Sequence, residues 1–248
     1  MLDQGQLAAF DQDGLVHLDA SFAPGTVAAA AEAVAQLLPR LDGEARRVRT
    51  NDFHHPAIAA LIGEPWIEQA ARAVLRADAV ELTENAIVRV HPMPGRPFSF
   101  SEHIDARFQM SALDATPRRI GFAVIVWLTD VDAASAPMMV RPGSHRTLAR
   151  YWDEHPCPCL PGAPFAELPK LAYAEPIPVH ARAGQVTLCV TAGIHGGSIA
   201  TGSRDRRSLH LGFVPAGIDP GFDIAARRPY LSALRTTLDP RRQHLIPG

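Results

Sequence analysis

Two residues with metal-binding side chains stand close together in the segment SEHID, where His103 and Asp105 are two positions apart. On an extended backbone alternate side chains point to the same side, so both could reach one metal ion. A third candidate, His195, follows the apolar run 185–190 and has small neighbours that leave room around an imidazole. Together these residues would present two imidazoles and one carboxylate to one face of a metal ion.

This set of donor atoms favours iron(II), because it leaves three adjacent coordination positions for a bidentate 2-oxo acid and for dioxygen. Zinc is the competing metal. A zinc hydrolase would need a general base beside the metal-bound water, and the sequence contains no HExxH or comparable pairing. The sequence therefore predicts Fe(II), rather than zinc, at these three residues.

A basic residue that could hold a cosubstrate carboxylate follows the third ligand. Arg206 lies eleven residues after His195, and a hairpin through the turn at 200–203 would bring the two close together. Ser208 shares a strand face with Arg206, so a guanidinium and a hydroxyl could bind one carboxylate. Arginine suits this role because its planar fork makes two parallel hydrogen bonds and keeps its charge when partly buried. Without His195, the arginines here would indicate only a solvated turn.

The elements that must position these residues divide the chain into a helical first part and a strand-rich second part. Apolar residues at helical spacing predict amphipathic helices at 26–38 and 66–75. Short apolar runs between Pro and Gly clusters then predict strands at 86–90, 120–128, 138–140, 185–190 and 208–214. This order predicts a mainly β fold with flanking helices around a jelly-roll core.

Length and composition indicate one domain over residues 1–248, because 47% hydrophobic content supplies one substantial core. We expect a helical part at about 1–80, a jelly-roll core at about 81–217 and a C-terminal cap at about 218–248. The formal charge of −2 lacks the basic excess that nucleic acid binding requires. No apolar run approaches the ~18 residues that cross a bilayer, and the first residues are too acidic for a signal peptide. A cytoplasmic protein is expected.

Cysteine usage predicts reduced thiols, because the number of cysteines is odd, at three, and no secretory signal is evident. Cys157 and Cys159 straddle a proline and lack a second cysteine pair, which disfavours a soft-metal site. The surrounding stretch 151–171 is long for a loop in a compact domain, and we interpret it as a lid over a pocket.

Three motifs make the chain resemble the phytanoyl-CoA dioxygenase family of Fe(II)/2-oxoglutarate oxygenases. They are HID at 103–105, WLTDV at 127–131 leading to RPGSHR at 141–146, and HGG at 195–197 followed by RRS at 206–208. The segment FDQDGLV at 10–16 is also similar to the family's N-terminal part. The resemblance implies a double-stranded β-helix core and oxidative decarboxylation of 2-oxoglutarate to succinate. It also implies hydrogen removal from an unactivated carbon, with Arg206 binding the distal carboxylate.

Some positions depart from the family pattern. Ile104, Gly197 and Ala200 stand where glutamine, serine and asparagine are common, and Ser198 or Ser208 could substitute for the missing serine of the 2-oxoglutarate clamp. Related halogenases carry a small residue in place of Asp105. Its carboxylate therefore favours hydroxylation, desaturation or ring formation over halogenation. The segment 142–145 indicates a tight turn that closes a hairpin, so His145 is interpreted as structural.

Polar residues beside the metal motif are candidates for contacts with a small-molecule substrate. Asn85 and Arg89 share one face of a predicted strand and could contact substrate there, but an ordinary half-exposed strand with this face in water is the simpler interpretation. Arg107 and Gln109 follow the metal motif directly. These residues indicate a polar or anionic substrate without identifying it.

Other functions and states remain open at this point. A jelly-roll binding protein with a vestigial metal site is disfavoured, because every ligand position and the cosubstrate arginine carry the expected residue type. An iron dioxygenase that does not use 2-oxoglutarate would leave Arg206 to contact substrate or solvent. The tail 219–248 is interpreted as a cap or a dimer contact, in a monomer or a homodimer.

Overall fold

The computed structural model describes residues 2–39, 47–155, 162–218 and 225–246. Cys157 and Cys159, where a soft-metal site was disfavoured, lie outside the described residues, as does the middle of the predicted lid. In chain order the strands are β1 (Leu15–Asp19), β2 (Arg47–Thr50), β3 (Val80–Val90), β4 (His103–Ile104), β5 (Phe122–Trp127), β6 (Met138–Val140), β7 (Ala163–Pro164), β8 (Ile177–Val179), β9 (Gln185–Val190), β10 (His195–Gly197) and β11 (Arg206–Pro215).

The strands form two antiparallel sheets. The larger sheet has six strands in the order β1-β9-β5-β11-β3-β2, and the smaller has five in the order β7-β4-β10-β6-β8. Ile125 and Trp127 of the larger sheet pack with Met138, Val140 and Val179 of the smaller one. The two sheets therefore face each other, and the predicted mainly β, jelly-roll fold with flanking helices is confirmed.

The helices are α1 (Gln4–Asp13), α2 (Thr26–Leu37), α3 (Pro56–Ile62), α4 (Pro65–Leu75), α5 (Met110–Leu113), α6 (Ser144–Glu154) and α7 (Arg228–Thr237), with 3₁₀ turns at Phe165–Glu167, Ala225–Arg227 and Pro240–Leu245. Local signals explain their ends. Asp3 and Gln6 form a capping box at the start of α1, which satisfies backbone N–H groups that have no partner within the helix. Pro65 begins α4, where its missing N–H costs nothing.

The main hydrophobic core lies between the helices and the outer face of the larger sheet. Val34 of α2, Leu75 of α4 and Leu211 of β11 belong to one cluster and are essentially fully buried. Leu231 and Leu234 of α7 join the same cluster, so part of the C-terminal tail caps this core. Truncating such a side chain to alanine typically costs about 2–5 kcal/mol. The organisation of 1–248 as one domain remains a prediction.

Most predicted elements agree with the structure to within one or two residues. β3 is longer than predicted, because charged residues at 81 and 84 interrupt the apolar pattern of its first half. The prediction that 142–145 closes a hairpin is wrong, because Gly143, with φ of +74°, is the N-cap residue of helix α6, which begins at Ser144. Glycine adopts this left-handed conformation without steric cost, so it can turn the chain directly into the helix.

Candidate metal centre

The two candidate histidine ligands lie on neighbouring strands of the smaller sheet. His103 of β4 is directly opposite His195 of β10, and their ring centroids are 4.5 Å apart. The strand that carries His195 needs a glycine at the next position, because a Cβ on Gly196 would lie 1.5 Å from the carbonyl oxygen of Ser101. The close approach of the two segments therefore depends on Gly196.

The third ligand completes a compact group of donor atoms. The Oδ1 atom of Asp105 lies 3.4 Å from Nε2 of His103, and its Oδ2 atom lies 3.4 Å from Nε2 of His195. One donor atom from each residue lies within 4.8 Å of the others. Donor atoms that are each about 2 Å from one transition-metal ion have separations of this size. The three residues fit an Fe(II) ion in both chemistry and spacing.

Backbone hydrogen bonds orient two of these ligands. The Nδ1 atom of His195 is 2.9 Å from the carbonyl oxygen of Gly193, which requires the proton on Nδ1. The lone pair of Nε2 is then directed towards the metal position. The backbone N–H of Asp105 donates to the carbonyl oxygen of Thr191 at 2.8 Å, which ties this segment to the end of β9.

The charges of the ligands stabilise one another in the absence of metal. Burial alone would raise the pKa of Asp105, but the neighbouring imidazoles outweigh it and hold that pKa well below the usual range. Burial lowers the pKa of His195, and the attraction of Asp105 more than offsets this, so the net shift is upward. Such a mutual stabilisation of carboxylate and imidazolium is what a bound cation would replace.

The three candidate metal ligands line one cavity, and Arg206 lines that cavity from the opposite sheet. Arg206 is 3% exposed, donates a hydrogen bond to the carbonyl oxygen of Ala136, and lies with its guanidinium carbon 5.6 Å from the ring centroid of Trp127. The predicted hairpin between His195 and Arg206 is wrong, because β10 and β11 belong to different sheets. The two residues meet across the space between the sheets, where both line one cavity.

The two candidate serines are buried and engaged elsewhere. The hydroxyl of Ser198 donates to the carbonyl oxygen of Pro137 at 2.6 Å, and that of Ser208 lies 2.9 Å from Nε2 of His210. Neither serine is among the described residues that line the cavity, whereas His210 is. Burial and the charge of Arg206 keep the pKa of His210 well below its usual range, so its imidazole is neutral. The strand alternation that puts Ser208 on the same face as Arg206 also puts His210 there, although the residue was not predicted to belong to the site.

The cavity between the sheets has a volume of about 580 Å³. The candidate substrate residues Asn85 and Arg89 do not line its described part. Both share a face with Leu211 and Arg207, on the helical side of the larger sheet. Arg89 pairs with Asp205 at 2.6 Å and donates to the carbonyl oxygen of Leu38. Their alternation was predicted correctly, but the expected pocket-facing direction was wrong.

The other two substrate candidates also lie outside the described cavity lining. The guanidinium carbon of Arg107 is 4.9 Å from the ring centroid of Trp152 in α6. Gln109 is exposed at the start of α5. The structure does not bring either residue to the metal ligands.

A partly buried ion pair beside the ligands was missed by the sequence interpretation. Arg141 donates two hydrogen bonds to Glu102, from Nε at 2.7 Å and from Nη2 at 3.0 Å. Its backbone N–H also donates to the carbonyl oxygen of Ile194 at 2.9 Å. Glu102 precedes one histidine ligand and Ile194 precedes the other, so Arg141 holds both ligand segments.

His145 occupies a structural position. It is 3% exposed, and a Cβ on Gly14 would lie 2.5 Å from its Nδ1 atom. Burial is the main reason that the pKa of His145 falls to about 4. His145 lies in α6 and packs against the turn after α1, and it is not among the described cavity residues.

Comparison with known proteins agrees with this geometry. Residues 10–208 match the phytanoyl-CoA dioxygenase family. The chain belongs to this family. A relative named ectoine dioxygenase, from Sphingopyxis alaskensis, is 27% identical over 255 residues, which cover 93% of this chain and 82% of the relative.

Solved structures share the fold of this family member at low identity. HygX from Streptomyces hygroscopicus, with nickel, 2-oxoglutarate and hygromycin B bound, has a TM-score of 0.64 and 20% identity over 87% of this chain and 88% of its own. The epimerase SnoN, in complex with Fe³⁺, alpha ketoglutarate and nogalamycin RO, has a TM-score of 0.62 and 18% identity over 86% and 83%.

Membership of the family confirms the general activity that the motifs predicted. The chain is a 2-oxoglutarate-dependent dioxygenase that uses Fe(II), 2-oxoglutarate and O₂. Among its described helices, none has the length and apolar character needed to span a membrane.

Proposed function

We propose that this dioxygenase hydroxylates an unactivated C–H bond of a small polar molecule and releases succinate and CO₂. His103, Asp105 and His195 bind Fe(II), and Arg206 binds the distal carboxylate of 2-oxoglutarate. The observation that carries the proposal is that the three donor side chains and a buried arginine line one cavity from opposite sheets. A volume of about 580 Å³ suits a small molecule.

The protein groups have separate roles in this reaction. Bound iron(II) supplies dioxygen activation coupled to decarboxylation of the 2-oxo acid. His103, Asp105 and His195 would hold this ion and would leave coordination positions for the cosubstrate and dioxygen. Arg206 fixes the orientation of 2-oxoglutarate through its planar fork, and Trp127 beside it excludes water from that contact. The neutral His210 supplies a polar contact without adding charge.

Two observations support hydroxylation as the outcome. Asp105 supplies a carboxylate among the three candidate ligands, at the position where related halogenases carry a small residue that leaves room for a halide ion. The curated relative is named a dioxygenase. Structural neighbours that are named as an epimerase and a carbocyclase follow other outcomes on the same fold. Epimerisation and ring formation begin with the same hydrogen removal and are therefore the alternatives to test.

The decisive experiment measures formation of the iron and 2-oxoglutarate complex. Under anaerobic conditions, Fe(II) and 2-oxoglutarate should give a weak visible charge-transfer band in the wild type. The band should be lost in His103→Ala and require much more 2-oxoglutarate in Arg206→Ala. Arg204→Ala is the matched control, because Arg204 lies in the turn just before β11 and makes an exposed ion pair with Asp132.

The outcomes separate the competing interpretations. A band that persists unchanged in Arg206→Ala would indicate an iron enzyme that does not bind 2-oxoglutarate through this residue. No band in the wild type would refute the proposed site and favour a binding protein with a vestigial metal site. If the band forms, a screen of small molecules for succinate release identifies the substrate, and mass analysis of the product distinguishes addition of oxygen from loss of hydrogen.

A further inference from the structure

A cluster of charged residues with a positive excess also lines the cavity that contains the metal ligands. Arg47 and Arg49 come from β2, Arg227 from the 3₁₀ turn at Ala225–Arg227, and Glu84 from β3. Glu84 pairs with Arg49 and also with Arg227, the latter at 3.1 Å. One carboxylate therefore serves two guanidinium groups, and a third arginine lines the same wall.

Strand register places Arg47 and Arg49, the two arginines of β2, on the cavity face of the larger sheet. Arg47 and Arg206 are both opposite Val90, and Arg49 and Ser208 are both opposite Val88, on the two sides of β3. Residues opposite one another share a face, and two strand spacings amount to about 10 Å. The arginines of β2 thus lie about that distance across the sheet from the proposed 2-oxoglutarate clamp.

The charges of the described cavity residues do not cancel when the proposed cofactors are bound. Four arginines face two carboxylates, Glu84 and Asp105. The two positive charges of iron(II) and the two negative charges of 2-oxoglutarate offset each other, which leaves two positive charges. The side chain of Arg49 is 41% exposed, yet partial desolvation and the charges of Arg47 and Arg227 lower its pKa, which agrees with crowding of like charges at this wall. An anionic group in the cavity would relieve that repulsion.

We propose that Arg49 and Arg227, assisted by Arg47, form a subsite for an oxyanion on the substrate, either a carboxylate or a phosphate. This inference rests on the proposed function and identifies the substrate class. The planar guanidinium fork suits both oxyanions. Anchoring the anion here, about 10 Å across the sheet from the clamp that holds 2-oxoglutarate, would orient the rest of the substrate within the cavity that the metal ligands line. Glu84 pairs with Arg49 and Arg227 and so competes with a substrate anion for them.

The first test compares three ligands that share a phenyl ring. Benzoate, phenyl phosphate and neutral benzamide are titrated by calorimetry into protein loaded with Ni(II) and 2-oxoglutarate, which does not turn over. At least one anion should bind roughly tenfold more tightly than benzamide, and the stronger of the two identifies the oxyanion class. Equal binding of anions and amide would overturn the proposal.

The second test assigns the preference to this subsite. Arg49→Gln and Arg227→Gln should each weaken binding of the preferred anion roughly tenfold, and Glu84→Gln should strengthen it. Opposite signs cannot both arise from a misfolded cavity. Arg182→Gln is the control, because Arg182 makes an exposed ion pair with Asp19. If the arginine variants bind the anion as tightly as the wild type, the assignment is wrong.

A third measurement separates failure of this inference from failure of the proposed function. The charge-transfer band with Fe(II) and 2-oxoglutarate should be unchanged in Arg49→Gln, and the preferred anion should not abolish it. Loss of the band on adding the anion would indicate binding at Arg206 and would overturn the subsite. If the wild type gives no band, the proposed function fails. The same titrations on metal-free protein then still show whether anion binding depends on Arg49.

Discussion

The ion pair between Glu102 and Arg141 should stabilise both the fold and the metal site. The two side chains are 8% and 14% exposed, and two hydrogen bonds join them in a bidentate arrangement. Glu102→Gln preserves the shape and one acceptor oxygen but removes the charge. Charged hydrogen bonds of this kind contribute about 1.5–3 kcal/mol each, and the variant keeps one of two acceptors, so we expect a loss of about 1.5–3 kcal/mol in the free energy of unfolding.

The same change should weaken iron binding, because Glu102 adjoins His103 and Arg141 donates to the backbone just before His195. Loss of an outer hydrogen bond to a ligand segment typically weakens metal affinity roughly 10–100-fold. Stability is measured by urea denaturation of metal-free protein, and Fe(II) affinity by anaerobic titration. Asp19→Asn, which breaks an exposed ion pair with Arg182, is the control and should change neither quantity.

Two outcomes would contradict this role of the ion pair. If the free energy of unfolding of Glu102→Gln is within about 0.5 kcal/mol of the wild-type value, the ion pair is no more stabilising than a surface pair. If stability falls but Fe(II) affinity is retained, the pair stabilises the smaller sheet without positioning the ligands. Only the combined loss supports the role that we assign to Arg141.

Three further predictions concern other contacts. Gly196→Ala should abolish Fe(II) binding, because its Cβ would lie 1.5 Å from a backbone oxygen, whereas Gly197→Ala, with open space around its Cβ, should still bind Fe(II) in the same titration. His145 has a pKa lowered to about 4, below its unfolded value of about 6.5. The stability it contributes is therefore present above about pH 6.5 and lost as pH falls towards 4, and His145→Gln should flatten that part of the urea stability profile. Thr187→Val removes the acceptor of the Trp127 indole N–H and should cost about 1–3 kcal/mol, while a 2-oxoglutarate affinity equal to wild type would show that this bond does not support the Arg206 clamp.

The sequence predicted best what depends on local spacing. His103 and Asp105 are close because two positions on one short segment share a face, and that geometry needs no knowledge of the rest of the fold. Periodicity also identified α2 and β9 almost to the residue. It could not tell which sheet a strand joins. Arg206 was therefore assigned to the right cavity through a hairpin that does not exist.

Which face of a strand borders the cavity was equally hidden. The alternation of Asn85 and Arg89 was correct, but period two gives two faces, and only packing decides which one meets the helices. Arg49 and Arg227 gave no signal, because charged residues at an edge strand and in a 3₁₀ turn are usually solvated. Their meeting at Glu84 arises from tertiary structure alone.

The two sheets divide the chemistry between them. The smaller sheet carries the histidine ligands on two short strands, held by Gly196 and by the Glu102 and Arg141 pair. The proposed cosubstrate and oxyanion contacts come from the larger sheet and the turn at Ala225–Arg227. The charge of Asp105 reaches both Arg49 and Arg227, so removing either arginine should favour a cation at the metal ligands. Substitutions at Arg49 or Arg227 should therefore alter substrate choice without weakening Fe(II) binding, and a coupled loss of both would show that the subsite and the metal centre act as one unit.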